Sequence, residues 1–137
     1  VIIQTYSPED VYIKAASALD TETFYNISLK QRKELFYPPF SRLCRILFTG
    51  RNKTSVNDIA IQIRKRLESK YFDILGPVIA PYGKLKGLWR YHLIIKINPS
   101  SPISFHNYFN KKIGYAIIER KKKGVTIQLD VDPVSML

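Results

Sequence analysis

The stretch Leu88–Ile97, read Leu-Trp-Arg-Tyr-His-Leu-Ile-Ile-Lys-Ile, constrains the fold more than any other part of the chain. Trp89, Tyr91, Leu93, Ile95 and Ile97 take alternate positions and are apolar, while Arg90, His92 and Lys96 fall between them. Successive side chains of a strand point to opposite faces, so the pattern predicts one face on a core and a basic row on the other. Taken alone, such a row reads as a solvated sheet face. Its meaning depends on the elements around it.

From Arg42 onward those elements alternate in type. Leu43 to Thr49 predicts a strand closed by Gly50. Ser55 to Lys70 predicts a helix with Val56, Ile59, Ala60, Ile63 and Leu67 on one face and Arg64, Lys65, Arg66 and Lys70 opposite. Asp73 to Ala80 predicts a strand, and its Gly76-Pro77 interruption suits a sheet edge. Pro81 to Gly87 reads as a turn region. Ser101 to Arg120 predicts a helix with Phe105, Phe109, Ile113, Ala116 and Ile117 along one stripe. Val125 to Val131 alternates again and predicts a last strand. The order β-α-β-β-α-β implies an α+β, ferredoxin-like split sheet with two helices on one face. The open face then collects Arg90, His92, Lys96, Thr126 and Gln128, with Arg45 beside them, at the surface.

The first 41 residues have a different texture. Val1 to Thr5 is β-branched and predicts a strand already in progress, with no initiator methionine, as in a segment of a longer protein. Ser7-Pro8-Glu9-Asp10 predicts the start of a helix running to Leu19, with Ser7 as cap. Asp20 and Thr21 open a second helix through Leu35, stopped by Tyr37-Pro38-Pro39, because a residue before proline avoids helical geometry. Phe24, Ile27 and Leu35 are too few to make this helix self-sufficient, so it reads as a connector that leans on another domain.

The formal net charge of +11 makes polyanions natural partners: DNA, RNA or an acidic membrane surface. The single cysteine, Cys44, forms no internal disulfide and no four-ligand zinc site, which fits a reducing cytoplasm. No apolar run approaches membrane-spanning length. Neither glycine-rich nucleotide fingerprint is present. His92, His106 and Cys44 lack an orienting third group for nucleophilic chemistry. Cys44 reads as a small buried residue and His106 as an exposed helix residue. Asp130 and Asp132 share a side, but no third ligand joins them, and they read as strand-end acceptors. No catalytic residue is assigned. Lys84, Lys86 and Arg90 surround a glycine turn beside Trp89 and Tyr91, where phosphate contact gives affinity and rings can stack on unpaired bases. Trp89 and Tyr91 nevertheless fall in the core register. The run Arg120–Lys123 at a helix end meets the negative helix pole. Together with the net charge, these patches predict nucleic-acid contact. Arg42, Lys84, Lys86 and Arg90 are the phosphate or partner contacts, and Tyr91 is a stacking residue.

Several blocks occur in a telling order: Ile2-Ile3-Gln4-Thr5-Tyr6-x-Pro8, Asp20-x-x-x-Phe24-Tyr25, Leu29-x-x-Arg32, Tyr37-Pro38-Pro39-Phe40-Ser41-Arg42-Leu43, Leu75-Gly76-Pro77, Arg90-Tyr91 and Asp130-Val131-Asp132-Pro133. Over essentially the whole chain they resemble the C-terminal end of the primosomal protein N′ family, bacterial helicases of replication restart. The resemblance implies a parent that moves 3′ to 5′ on DNA, hydrolyses ATP and assembles the primosome at stalled forks. It assigns 1–19 to the tail of the second motor lobe, 20–41 to a connecting helix and Pro-Pro linker, and 42–137 to the ferredoxin-like C-terminal domain. ATP, magnesium and zinc belong to upstream parts of the parent, and no cofactor is expected in this chain. Implied partners are branched or forked DNA, single-stranded DNA-binding protein and other primosome proteins. No membrane is implied, and a monomer in the bacterial cytoplasm, associated with the nucleoid, is expected. Where some relatives carry an arginine near the start of the last helix, this chain has Ser100-Ser101-Pro102, so docking of an acidic tail there is not carried over. Two rival readings are a docking module that grips motor lobes or primosome partners without touching DNA, and a ribosome-associated RNA-binding domain.

Overall fold

A computed structural model describes residues 2–101, 103–121 and 124–135. Val1, Pro102, Lys122 and Lys123, and the side chains of Ala116, Ile117 and Arg120, on which expectations above rest in part, lie outside the described set. The elements are α1 (Val11–Ser17), α2 (Thr21–Glu34), β1 (Arg42–Gly50), α3 (Lys53–Leu67), β2 (Phe72–Leu85), β3 (Leu88–Ile97), α4 (Phe105–Lys121) and β4 (Val125–Val131). The four strands form one antiparallel sheet in the order β2-β3-β1-β4. This is the split pattern that the element order implies, with β2 at an edge as its Gly76-Pro77 step suggests.

The two-residue period of the strands sorts the side chains. Cys44, Ile46 and Phe48 of β1 and Leu93 and Ile95 of β3 point to one face, where Val56, Ile63 and Leu67 of α3 and Ile113 of α4 meet them; all are fully buried. Burying each large aliphatic or aromatic side chain contributes about 1.5–3 kcal/mol, so this layer supplies most of the cohesion. Phe72 of β2 meets Phe105 edge-on at 5.2 Å between centroids, tying the edge strand to the start of α4. Position 50, the last of β1, has no room for a side chain, because a Cβ there would sit 2.8 Å from Val56 Cγ2.

Several boundaries differ from the sequence expectations; α3, expected from Ser55 to Lys70, runs from Lys53 to Leu67 and leaves Lys70 beyond its end. Residues 2–5 form no strand: Ile2 and Ile3 are exposed, and among the described residues no ladder includes them. The first helix starts at Val11, capped by Asp10, whose carboxylate accepts from Tyr12 N at 2.8 Å. Ser7 instead accepts a turn bond from Asp10 N. β2 continues past Ala80 to Leu85, through register shifts between Leu75 and Val78 and between Ile79 and Lys84. The connection to β3 therefore shrinks to Lys86-Gly87, with φ of 48° and 79°, the two left-handed residues that a tight hairpin of native twist requires. α4 begins at Phe105 rather than Ser101.

Both helices of the first segment end alike. Leu19 after α1 and Phe36 after α2 take left-handed φ of 54° and 53°. Asp20 N then donates to Ala15 O and Leu19 N to Ala16 O. Tyr37 N donates to Arg32 O and Phe36 N to Lys33 O. These paired bonds satisfy carbonyls that a helix end leaves open, with bulky residues where glycine is usual.

Candidate nucleic-acid interface

The basic row of β3 exists, but it is not a solvated face. Arg45, Arg90 and Lys96 are each 8% exposed and His92 is 9% exposed, interleaved with buried Leu43 and Leu47. This corrects the surface placement expected for Arg90, and each group has a structural occupation. Lys96 donates to Leu35 O at 2.7 Å and lies 4.2 Å from the Tyr37 ring centre, so the α2–β1 linker folds over that end of the sheet. Arg90 donates to Pro81 O at 3.0 Å, holding the extended half of β2. Arg45 pairs with Asp130 across β1 and β4 at 3.1 Å. His92 lies among them with a buried Nδ1 that has no hydrogen-bond partner. Burial first, and then the charges of Arg45 and Arg90, hold its imidazole below the ordinary 6.5. Tyr91 faces the core, as its register requires, and is 8% exposed.

Arg42 is exposed and stays on the surface as expected. Its Nε and Nη2 grip Asp132 at 3.0 and 2.5 Å, which lowers the carboxyl pKa and raises that of the guanidinium. It borders a cavity of about 350 Å³ shared with Ile97, Ser101, Phe105 and Val131. Asp130 and Asp132 thus accept from arginines as strand-end acids, and among the described residues no group of His, Cys, Asp and Glu could hold a metal. Cys44 is fully buried and its thiol is pushed up to about 12, chiefly by burial and then by Asp130 and Asp132, so it is neither a nucleophile nor a ligand. His106 is exposed and contacts Asn110 at 3.0 Å.

One cluster of exposed cations lies at the opposite end of the sheet from Arg42. Lys84 and Lys86 are exposed at the β2–β3 hairpin, as expected from the glycine turn. Trp89, half-buried, lies opposite Lys84 in one register and opposite Gly50 in the other. Its ring lies 5.3 Å from Lys84 Nζ and 4.9 Å from Lys53 Nζ. Lys53 is a functional candidate that reading strand by strand does not reach, since 36 residues of chain separate it from the ring it touches. The available signal was Asn52, whose side chain accepts from Ser55 N at 2.9 Å; as a helix cap it fixes Lys53 at the first position of α3. Exposed Arg51 adds a further cation to this turn.

With this geometry in view, comparison with known proteins is informative. The model of the primosomal protein N C-terminal domain matches residues 33–134. The chain belongs to this family. Across its whole length it is 30% identical to the replication restart protein PriA of Treponema pallidum and 29% identical to that of Bacillus subtilis. Over 69% of the chain it is 37% identical to the PriA of Thermotoga maritima. The chain spans 20%, 17% and 13% of these three relatives respectively, so it corresponds to a small part of each. Family membership agrees with the resemblance read from the Tyr-Pro-Pro-Phe-Ser-Arg-Leu and Asp-Val-Asp-Pro blocks. Among the described residues no helix is long and apolar enough to cross a membrane.

Proposed function

We propose that this chain is the DNA-contacting and partner-docking C-terminal part of an ATP-dependent 3′–5′ helicase that restarts replication at stalled forks. The observation that carries the reading is the cluster of exposed lysines at the hairpin end of the sheet, in a chain of net charge +11 from a family named for the primosome. Nucleic-acid affinity rests mainly on neutralised phosphates, and Lys84 and Lys86 offer ammonium groups with no carboxylate within ion-pair distance among the described residues. Arg42 serves a partner or phosphate at the other end. Arg90 supports contact indirectly, by holding the Pro81 carbonyl and thereby the hairpin that carries the lysines. Tyr91, 8% exposed within the core cluster, is closed to a stacking base, so the stacking role expected of it is not carried into this reading. ATP, magnesium and zinc chemistry is assigned to other parts of the parent. Single-stranded DNA-binding protein and other primosome proteins are the proposed protein partners of a monomer working in the bacterial cytoplasm.

A second reading has its own support. Leu19 after α1 and Phe24, Tyr25 and Leu29 of α2 are exposed, which suits a module docking on another protein surface. Fluorescence anisotropy of the chain against a forked DNA, a duplex, a single strand and a structured RNA, at several salt concentrations, separates the two. We expect the fork to be preferred at physiological salt, and Lys84→Ala with Lys86→Ala to weaken binding and flatten its salt dependence by about two phosphate contacts. Absence of binding to every nucleic acid would leave the docking reading in its place.

A further inference from the structure

We propose that Lys53, Lys84 and Trp89 form a seat for a single backbone phosphate of nucleic acid, with Lys86 and Arg51 guiding the strand toward it. The inference rests on the DNA-contact reading above and adds where the strand lies and how it is held. The two ammonium groups come from different elements, the start of α3 and the end of β2, yet both lie over one indole, at 4.9 and 5.3 Å. Like charges gathered on one ring repel unless an anion relieves them. None does so within the chain: among the described residues, Lys53, Lys84, Lys86 and Arg51 make no salt bridge.

The ring itself is fixed. Trp89 is held in the sheet between Gly50 and Lys84. The glycine is obligatory there, because Val56 Cγ2 and Gly124 O would lie 2.8 and 3.0 Å from a Cβ. Close packing of that turn brings the first residue of α3 over the indole. The indole face attracts the ammonium groups through its quadrupole but takes none of their N–H bonds, so the donors stay available to an acceptor. A phosphate has the charge and the several oxygens to bridge two ammoniums. Because both ammonium groups lie beside the ring and a phosphate is common to every nucleotide, the seat reads charge and not base identity.

Trp89 is the only tryptophan of the chain, so its emission reports this one place. The test follows Trp89 fluorescence and the anisotropy of a labelled 20-mer of deoxythymidylate in the same titration, with the forked DNA and inorganic phosphate as separate arms. The expected result is a change of emission that saturates with the anisotropy, for both DNAs, at far lower concentration than for inorganic phosphate. Lys53→Gln should weaken single-strand binding about fivefold at 0.1 M salt, the worth of one phosphate contact, and lower the salt slope by about 0.7. Lys53→Arg, which keeps charge and ring contact, should bind as the unmodified chain does. An unchanged thermal transition of Lys53→Gln confirms that the loss is local. DNA binding by anisotropy with no change in Trp89 emission, and full affinity in Lys53→Gln, would overturn the seat while leaving DNA contact intact. No binding of either DNA would overturn both.

Discussion

Replacing Lys96 by methionine tests whether a buried ammonium sets the joint between the helical segment and the sheet. Methionine keeps most of the apolar stem and removes the charge, so packing in β3 is nearly preserved. Two interactions are lost. The bond to Leu35 O at 2.7 Å is charge-assisted and answers a carbonyl at the end of α2, worth about 1.5–3 kcal/mol. The contact with Tyr37 at 4.2 Å is short and largely shielded from water, worth about 1–2 kcal/mol. These figures are net of taking the ammonium out of water at 8% exposure, so no separate desolvation gain is added to the balance. Leu35 is itself exposed, so water can reach the abandoned carbonyl. The balance predicts a net loss of about 2 kcal/mol in urea unfolding, with the slope of the transition unchanged. In a double-mutant cycle with Tyr37→Leu, the coupling should be about 1 kcal/mol. Proteolysis of the native state should quicken between Leu35 and Ser41, because the linker loses its anchor on the sheet. A stability within about 0.5 kcal/mol of the original chain, and no coupling to Tyr37, would refute the reasoning: the ammonium would then hold nothing that its burial does not offset.

Two further outcomes follow from buried groups in the same sheet. His92 has a depressed pKa in the folded chain and an ordinary one near 6.5 when unfolded, so the unfolded state binds the proton more readily. Stability should therefore be full above pH 6.5 and fall as pH drops through the interval down to the folded pKa. His92→Gln should remove that part of the slope in urea titrations at stepped pH. Cys44, with its thiol pushed up to about 12 by burial, should not react with a thiol-specific disulfide reagent at pH 8 in the native chain and should react fully in denaturant; rapid native reaction would mean that β1 opens.

The parts of the fold legible in the sequence were those fixed by local periodicity. Leu88–Ile97 and Val125–Val131 are observed with the expected bounds, because strict alternation leaves one register for a half-buried strand. The helix face from Val56 to Leu67 is likewise the buried face of α3. Where non-local partners decide, the sequence reading fell short. Ile2, Ile3 and Thr5 are β-branched, but among the described residues no strand pairs with them. Pro81 and Gly83 signal a turn, yet the edge strand absorbs them through its irregular register and turns only at Lys86-Gly87. Alternation told correctly that Arg90, His92 and Lys96 share a face, but not that the linker and the bent half of β2 would fold over it. The hairpin lysines were found because a turn exposes its side chains. Lys53 was missed because its relation to Trp89 exists only once β1, α3 and β3 are assembled.

The position of β1 in the sheet has a kinetic consequence. Cys44 pairs with Ile95 on one side and with Val131 on the other, and Gly50 pairs with Trp89 and with Val125. Both ladders of this central strand close loops of dozens of residues, and loops of that size must lose their entropy before any ladder bond is made. During synthesis, α3 and the β2–β3 hairpin can form early from neighbouring residues, while one edge of β1 stays open until β4 arrives. Its apolar Ile46 and Phe48 are then a template for misplaced strands. The tight Lys86-Gly87 turn acts at this stage by bringing β3, the first rightful partner of β1, into a ready-made pair with β2.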